Sequence, residues 1–361
     1  MEFFDLCLAI RRRAAAAGIS RASCAGMLLE YSLLRLTKTG ASSGYPGEWG
    51  ELLSEELPRI RPIPEEAAGD TVTLHRPIHP GAAWSAARGV ADFSAAIVPQ
   101  AATLLEDGHR NAAGLFDDPA SPGHLSTEIP AMTVPVLAWA AKCGGGEAFR
   151  AEAVRQMEGY AAALCDPETR LWHSETLPDG SLAPCGGYGG GYALFALSEL
   201  IYDLPAEDGK KQDLIRMRAE MLTGVLPYQD PAGMWHRTVD DPESPPDVPG
   251  TAWILYAMER AIKQNAAESP ELLAACHRGL AGLAGYLTCD GNIFDGRGGP
   301  GGEKNAPGAF APVLLALQQA GYNEFRLKMM MPLSELLAGG AIRSGRIREK
   351  QTAEGTNHGK Q

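Results

Sequence analysis

Several things are missing from this sequence of 361 residues, and each absence excludes a class of protein. The seven cysteines, at positions 7, 24, 143, 165, 185, 276 and 289, include no CxxC pair. An odd, dispersed set fits reduced and mostly buried thiols rather than a disulfide framework. No run of about 18 apolar residues occurs, so no transmembrane helix is expected. At the start, MetGluPhePheAspLeuCysLeuAlaIleArgArgArg places its apolar run before its basic cluster, the reverse of a secretion signal. These points give the expectation of a cytoplasmic protein with no membrane partner. Basic residues are outnumbered, 32 Lys and Arg against 44 Asp and Glu, for a net charge of −12. No basic stripe interleaves with aromatics, which argues against nucleic acid as a partner. No phosphate-loop lysine follows the glycine-rich stretch 186–191, and no GxSxG elbow is present.

Helix breakers, by contrast, are abundant. Gly (42) and Pro (26) stand in a chain that is 45% apolar, too apolar for disorder. A weak repeat shows where the breakers go. GlyLeuPheAspAsp (114–118), ArgLeuTrpHisSerGlu (170–175), GlyMetTrpHisArg (233–237) and AsnIlePheAspGly (292–296) are alike. Their aromatics Phe116, Trp172, Trp235 and Phe294 follow one another at 56, 63 and 59 residues. After each turn come a Gly/Pro-rich loop and a nearly all-apolar segment: 129–141, 192–200, 251–262 and 309–317. Before the turns lie amphipathic segments such as 151–164 and 213–225, with apolar residues on one face. A helix apolar all round is buried, and an amphipathic one covers it. Units of about 60 residues then predict an all-α (α/α)6 toroid with few strands. It spans residues 1–341 as one domain, followed by a polar tail, 342–361. Segments 3–17, 20–38 and 84–106 read as further helices, and 57–83 holds no helical pattern.

The loops before the inner helices converge at one end of such a toroid and carry its unusual polar residues. They are His124, Glu128, Trp172, His173, Glu175, Tyr188, His236, Arg237, Asp240, Asp241, Asp247, Asp295, Arg297 and Lys304. Aromatic rings beside carboxylates suit a sugar, since rings stack on C–H faces and acids handle hydroxyls and glycosidic oxygens. Trp172 and Trp235 read equally as turn anchors between helices, and the three Asp as caps or solvated loop. Glu128 opens an apolar helix behind Ser126 and Thr127. It is either a dipole-compensating acid or a general acid tuned by burial.

The stretches 226–241 (LeuProTyrGlnAspProAlaGlyMetTrpHisArgThrValAspAsp) and 249–262 resemble the unsaturated glucuronyl and rhamnogalacturonyl hydrolases, glycoside hydrolase families 88 and 105. CysAspProGluThrArgLeuTrpHis (165–173) and AlaProGlyAlaPheAlaProValLeuLeuAlaLeu (306–317) are similar to the same families. The likeness covers about residues 110–320. It implies the (α/α)6 barrel, no cofactor, and a short oligosaccharide substrate ending in a 4,5-unsaturated uronic acid. An acid would protonate C4 of the enol ether, water would add at C5, and the hemiketal would collapse to release the sugar. MetThrValPro (132–135) aligns Glu128 with the catalytic Asp of those families, and His173 falls near their active-site His. Tyr188, Tyr192, Trp172, His124, Trp235, His236, Arg237, Asp247 and Thr251 fall where substrate would bind. Two departures stand out. GlyGlyTyrGlyGlyGlyTyr (186–192) replaces a Trp-Ala-Arg-Gly-Asn-Gly-Trp segment, so Tyr188 takes the place of an Arg. A second family acid has no match near Cys24 and Ala25.

Two other readings stay open. Stretches 185–191 and 276–282 faintly resemble lanthionine-synthetase cyclases, which would make Cys185, Cys276 and His277 zinc ligands. The barrel is otherwise one repurposed for another small molecule, with or without catalysis.

Overall fold

The computed structural model describes residues 3–19, 23–42, 94–264, 269–296 and 303–330. Segment 57–83, the first part of the helix expected at 84–106, Arg297 and the tail 342–361 lie outside the described residues. The architecture is an (α/α)6 toroid. Its described helices are α1 (Phe3–Ala16), α2 (Cys24–Ser42), α3 (Ser94–Asp107), α4 (Glu128–Ala140) and α5 (Glu147–Leu164). They continue with α6 (Gly187–Asp203), α7 (Lys211–Val225), α8 (Val248–Lys263), α9 (Pro270–Ala284) and α10 (Pro307–Met330). The inner helices pack in the order α2, α10, α8, α6, α4, while α5, α7 and α9 lie against α4, α6 and α8 from outside. Burial separates the two sets. In α8, 13 of 16 residues are buried, against five of 15 in α7. The all-apolar segments therefore line the barrel and the amphipathic ones face solvent on one side.

The repeated aromatic turns share one hydrogen-bond pattern. Asp166 N donates to Leu171 O, Asp230 N to Met234 O and Thr288 N to Asn292 O, at 2.8–3.0 Å. Each turn contains or directly follows a left-handed residue, Gly114 (φ 78°), Arg170 (63°), Gly233 (93°) and Gly291 (85°), and the last also ends on one, Gly296 (85°). Phe116, Trp172 and Trp235 are all buried beneath them. Among the described residues, β-structure is confined to isolated bridges. Three of these, Ser126 with Glu175, Gly186 with Thr238 and His236 with Pro246, stitch the loops at one end.

Residues 186–191 are not the loop that their glycines suggest. Gly187 to Gly191 form the first turn of α6, which starts five residues before the expected Tyr192. Glycine is used here for close approach. A Cβ on Gly189 would lie 2.6 Å from Ser174 Cα, and one on Gly250 would lie 2.5 Å from the Gly187 carbonyl carbon. The N-termini of α6 and α8 thus touch backbone to backbone.

Candidate functional site

The N-termini of α4, α6, α8 and α10 surround a cavity of about 490 Å³. Its wall includes Glu128 from α4, Tyr188 and Tyr192 from α6, Asp247 and Pro249 at the start of α8, and Gly308 from α10. The connecting loops add Ser126, Ser174, Glu175, Arg237, Asp295 and Glu303. Four helix N-termini give the cavity a positive dipolar background, against which five carboxylates and a single guanidinium are set.

Glu128 is the first residue of α4 and is half-buried. Its amide is held by Ser126 Oγ at 3.2 Å, so Ser126 rather than Thr127 satisfies this helix start. Beside it stands Cys24, the first residue of α2. The Cys24 Sγ lies 3.7 Å from Tyr192 Oη and 3.8 Å from Met132 Sδ. Burial first, and then the neighbouring Glu128 carboxylate, push the Cys24 thiol well above its ordinary value. The position near the missing family acid is therefore a neutral thiol next to Glu128. Tyr188 Oη and Tyr192 Oη are 2.5 Å apart. Burial raises both phenols, so they act as neutral hydrogen-bond donors.

Asp247 has two positions at once. It caps α8, accepting from Gly250 N at 2.9 Å, and it faces the cavity. Arg237 is held by its backbone: its N–H donates to Pro245 O and its carbonyl accepts from Gly187 N. Its side chain is the one cation among the described lining residues, and its buried Nε has no acceptor within the protein.

The remaining expected residues stand behind this wall. His124 Nε2 lies 3.0 Å from Glu175 Oε2 and so braces a lining carboxylate. His173 Nδ1 donates to Ala183 O at 2.6 Å, one residue before the lining Ser174. Trp172 and Trp235 are buried turn anchors, and Trp235 Nε1 donates to Val225 O at 2.7 Å. Thr251 Oγ1 accepts from Trp235 N at 3.0 Å. His236 pairs with Asp230 at 3.1 Å. Asp240 and Asp241 are exposed, the latter in a turn with Glu243. Ser174 and Glu303 line the cavity without having been singled out in the sequence; each adjoins a residue that was.

The zinc arrangement is not assembled. Cys276 lies on the outer helix α9 and contacts Glu259 Oε1 at 3.4 Å, whereas Cys185 lies beside His173 and His277 is exposed. Among the described residues, no three His, Cys, Asp or Glu side chains could hold one metal ion.

Residues 131–305 match the profile of Glycosyl Hydrolase Family 88. The matched stretch covers just under half of the chain and is similar to that family. It contains Tyr188, Tyr192, Arg237 and Asp247, while Glu128 stands three residues before it. Solved structures share the fold. A family 105 glycoside hydrolase from C. acetobutylicum ATCC 824 is 17% identical, with 87% of this chain and 98% of that one covered at a TM-score of 0.70. A glycosyl hydrolase family 88 protein from Bacteroides vulgatus is 14% identical, with 89% and 98% covered and a TM-score of 0.68. The unsaturated glucuronyl hydrolase from Bacillus sp. GL1, responsible for degradation of glycosaminoglycan, is 14% identical, with 83% and 86% covered and a TM-score of 0.61. A search of curated protein sequences returns no match. No described helix is long and apolar enough to cross a membrane.

Proposed function

We propose that the chain is a glycoside hydrolase that acts on a short oligosaccharide ending in a 4,5-unsaturated uronic acid, with Glu128 as the acid. The observation that carries this reading is the pairing, across one cavity, of a half-buried carboxyl and a cation. Glu128 sits at the mouth of α4, and Arg237 presents a guanidinium whose buried Nε has no acceptor within the protein. A uronate needs both: a proton donor for its double bond and a partner for its carboxylate. Tyr188 stands where family members keep an Arg, and Arg237 takes over the charge that Tyr188 cannot supply.

In this scheme Glu128 gives its proton to C4, and the double-bond pair forms the new C–H bond. Positive charge develops at C5, shared with the ring oxygen. Water adds there and gives up a proton to the Glu128 carboxylate. The resulting hemiketal opens and releases the neighbouring sugar. Tyr188 and Tyr192, held neutral, donate toward sugar oxygens. Ser174, braced through His173, and Glu175, braced through His124, hold the opposite rim. Asp247 fixes the start of α8 while facing the sugar. The family resemblance and the cavity's helix N-termini support this reading. The seven free thiols support a reducing, cytoplasmic setting.

The test is loss of enol-ether absorbance on unsaturated uronyl disaccharides. The wild type should turn them over, and Glu128→Gln should lower kcat by about 10²-fold or more. Arg237→Met should raise KM at least about tenfold with a smaller change in kcat. Full activity in Glu128→Gln would overturn the assignment. A second reading, a barrel repurposed for a different small molecule, is favoured by the replacement of the family segment at Tyr188, Gly190 and Tyr192. It is selected if the wild type is inert on every unsaturated uronide.

A further inference from the structure

Outside the cavity, a charged side chain interrupts the buried stripe of an outer helix. The inner face of α7 is Leu214, Arg218, Met221, Leu222 and Val225. Arg218 is 1% exposed, and neither Nη1 nor Nη2 has a hydrogen-bond acceptor in the protein. Its charged neighbour is Arg260 of α8, which is 0% exposed. Arg260 stacks its guanidinium 4.2 Å from the Tyr202 ring centre and meets Glu199 at 3.1 Å, but its Nε and Nη1 also lack acceptors.

The local charges do not balance. Glu199 serves Arg260 and also Arg35, a third buried guanidinium, and it already accepts from Tyr31 and from Tyr256 at 2.6 Å. Asp203 pairs with Lys142 at 3.4 Å. Among the described residues no carboxylate pairs with Arg218, whose one charged neighbour is Arg260. Burial first, and then the positive charge of Arg260, lower Arg218 to about 10, so it still carries its charge at neutral pH. A buried cation with free donors and a like-charged neighbour is strongly unfavourable unless something negative meets it.

We propose that Arg218 and Arg260 form an interior binding site for one small monovalent anion of the chloride class. Arg218 has no carboxylate of its own, and a singly charged ion supplies the one negative charge that its guanidinium lacks. The donors suit a spherical ion: two terminal nitrogens on Arg218 and the Nε–Nη1 edge of Arg260, none of which has an acceptor in the protein. Held there, the ion ties an outer helix to the inner ring. The site shares no residue with the cavity around Glu128 and acts on the fold, so it stands or falls independently of the proposed reaction.

Thermal unfolding of the full chain in sodium chloride and in sodium gluconate, at constant ionic strength, tests it. An ion bound only by the folded state raises Tm with its concentration. For a chain of this length the slope is about 2 °C per tenfold increase above the dissociation constant. The wild type should show this rise in chloride and not in gluconate. Arg218→Met removes the buried charge at similar size and should abolish the difference. Line broadening of chloride-35 resonance by the wild type, saturable and displaced by bromide, provides a readout should the variant not fold. Coincident curves in the two salts, a chloride effect that survives in Arg218→Met, or no saturable broadening would each overturn the proposal.

Discussion

Glu152 lies on α5 under the first aromatic turn, where Arg155, Gln156 and Arg110 all donate to its carboxylate. Burial alone would raise this acid, but the three donors outweigh it and hold the carboxyl at about 2. A carboxyl depressed in the folded state binds fewer protons there than in the unfolded chain. Its stabilisation is therefore complete above the ordinary value of 4.5 and is lost as pH falls toward 2. Urea unfolding from pH 7 to pH 2.5 should show the wild-type midpoint falling through that window, with a shallower fall in Glu152→Gln. Equal slopes would mean that the pairing contributes nothing. At this scale the sequence was partly readable. Glu128, Tyr188, Tyr192, Arg237 and Asp247 were singled out and share the cavity wall. Cys24, the thiol beside Glu128, was placed only by its position near an absent acid. Glu152 and Arg218 gave no signal, because a charge on an outer helix is ordinarily a solvated face, and only the fold shows which of them turn inward.

Among the elements, periodicity identified the helices and misjudged their starts. The all-apolar segments 251–262 and 309–317 lie inside α8 and α10, but α6 begins within a glycine run that propensity assigns to a loop. Tertiary contact explains the run. A Cβ on Gly191 would lie 2.4 Å from Trp253 Cβ, whereas one on Gly190 would meet only Trp172 Cβ at 4.0 Å. These neighbours should respond in opposite ways to the same substitution. Gly190→Ala gains helix propensity and loses no contact, for a stabilisation of about 0.5–1 kcal/mol. Gly191→Ala forces α6 and α8 apart and should destabilise by about 1–3 kcal/mol, moving Tyr192 with it. Chemical denaturation of the two single variants decides the matter. Similar effects would mean that the run is a flexible segment and not a packing device.

At the scale of the whole molecule, the chain closes by seating its first helices on its last ones. The α2 and α10 helices are joined by Thr39 Oγ1 donating to Gln318 at 3.0 Å and by Gln318 Nε2 donating to Ser32 O at 3.1 Å. Arg13 at the end of α1 pairs with Asp290 in the final aromatic turn and donates to its carbonyl at 3.0 Å. The repeat suggested this closure, since units stacked at a constant interval either end openly or return to the first. The contacts that achieve it are irregular, and no pattern announced them. Gly291 is a tight point of this seam: φ is 85°, and a Cβ there would lie 2.3 Å from the Ala9 carbonyl carbon. Gly291→Ala adds left-handed strain of about 1–2 kcal/mol to a backbone clash, and the cost should reach about 3 kcal/mol or more. How that loss is distributed tests the proposal that residues 1–341 form one domain. Cys7 is fully buried on α1, whereas Trp139, Trp172, Trp235 and Trp253 lie in the middle of the chain. Denaturation followed at once by tryptophan fluorescence and by alkylation of Cys7, resolved by mass spectrometry, reads both ends of the argument. In a single cooperative unit the two midpoints coincide in the wild type and move together in Gly291→Ala. If Cys7 became reactive while the fluorescence stayed native, α1 would be an appendage that frays alone, and the ring would hold without it.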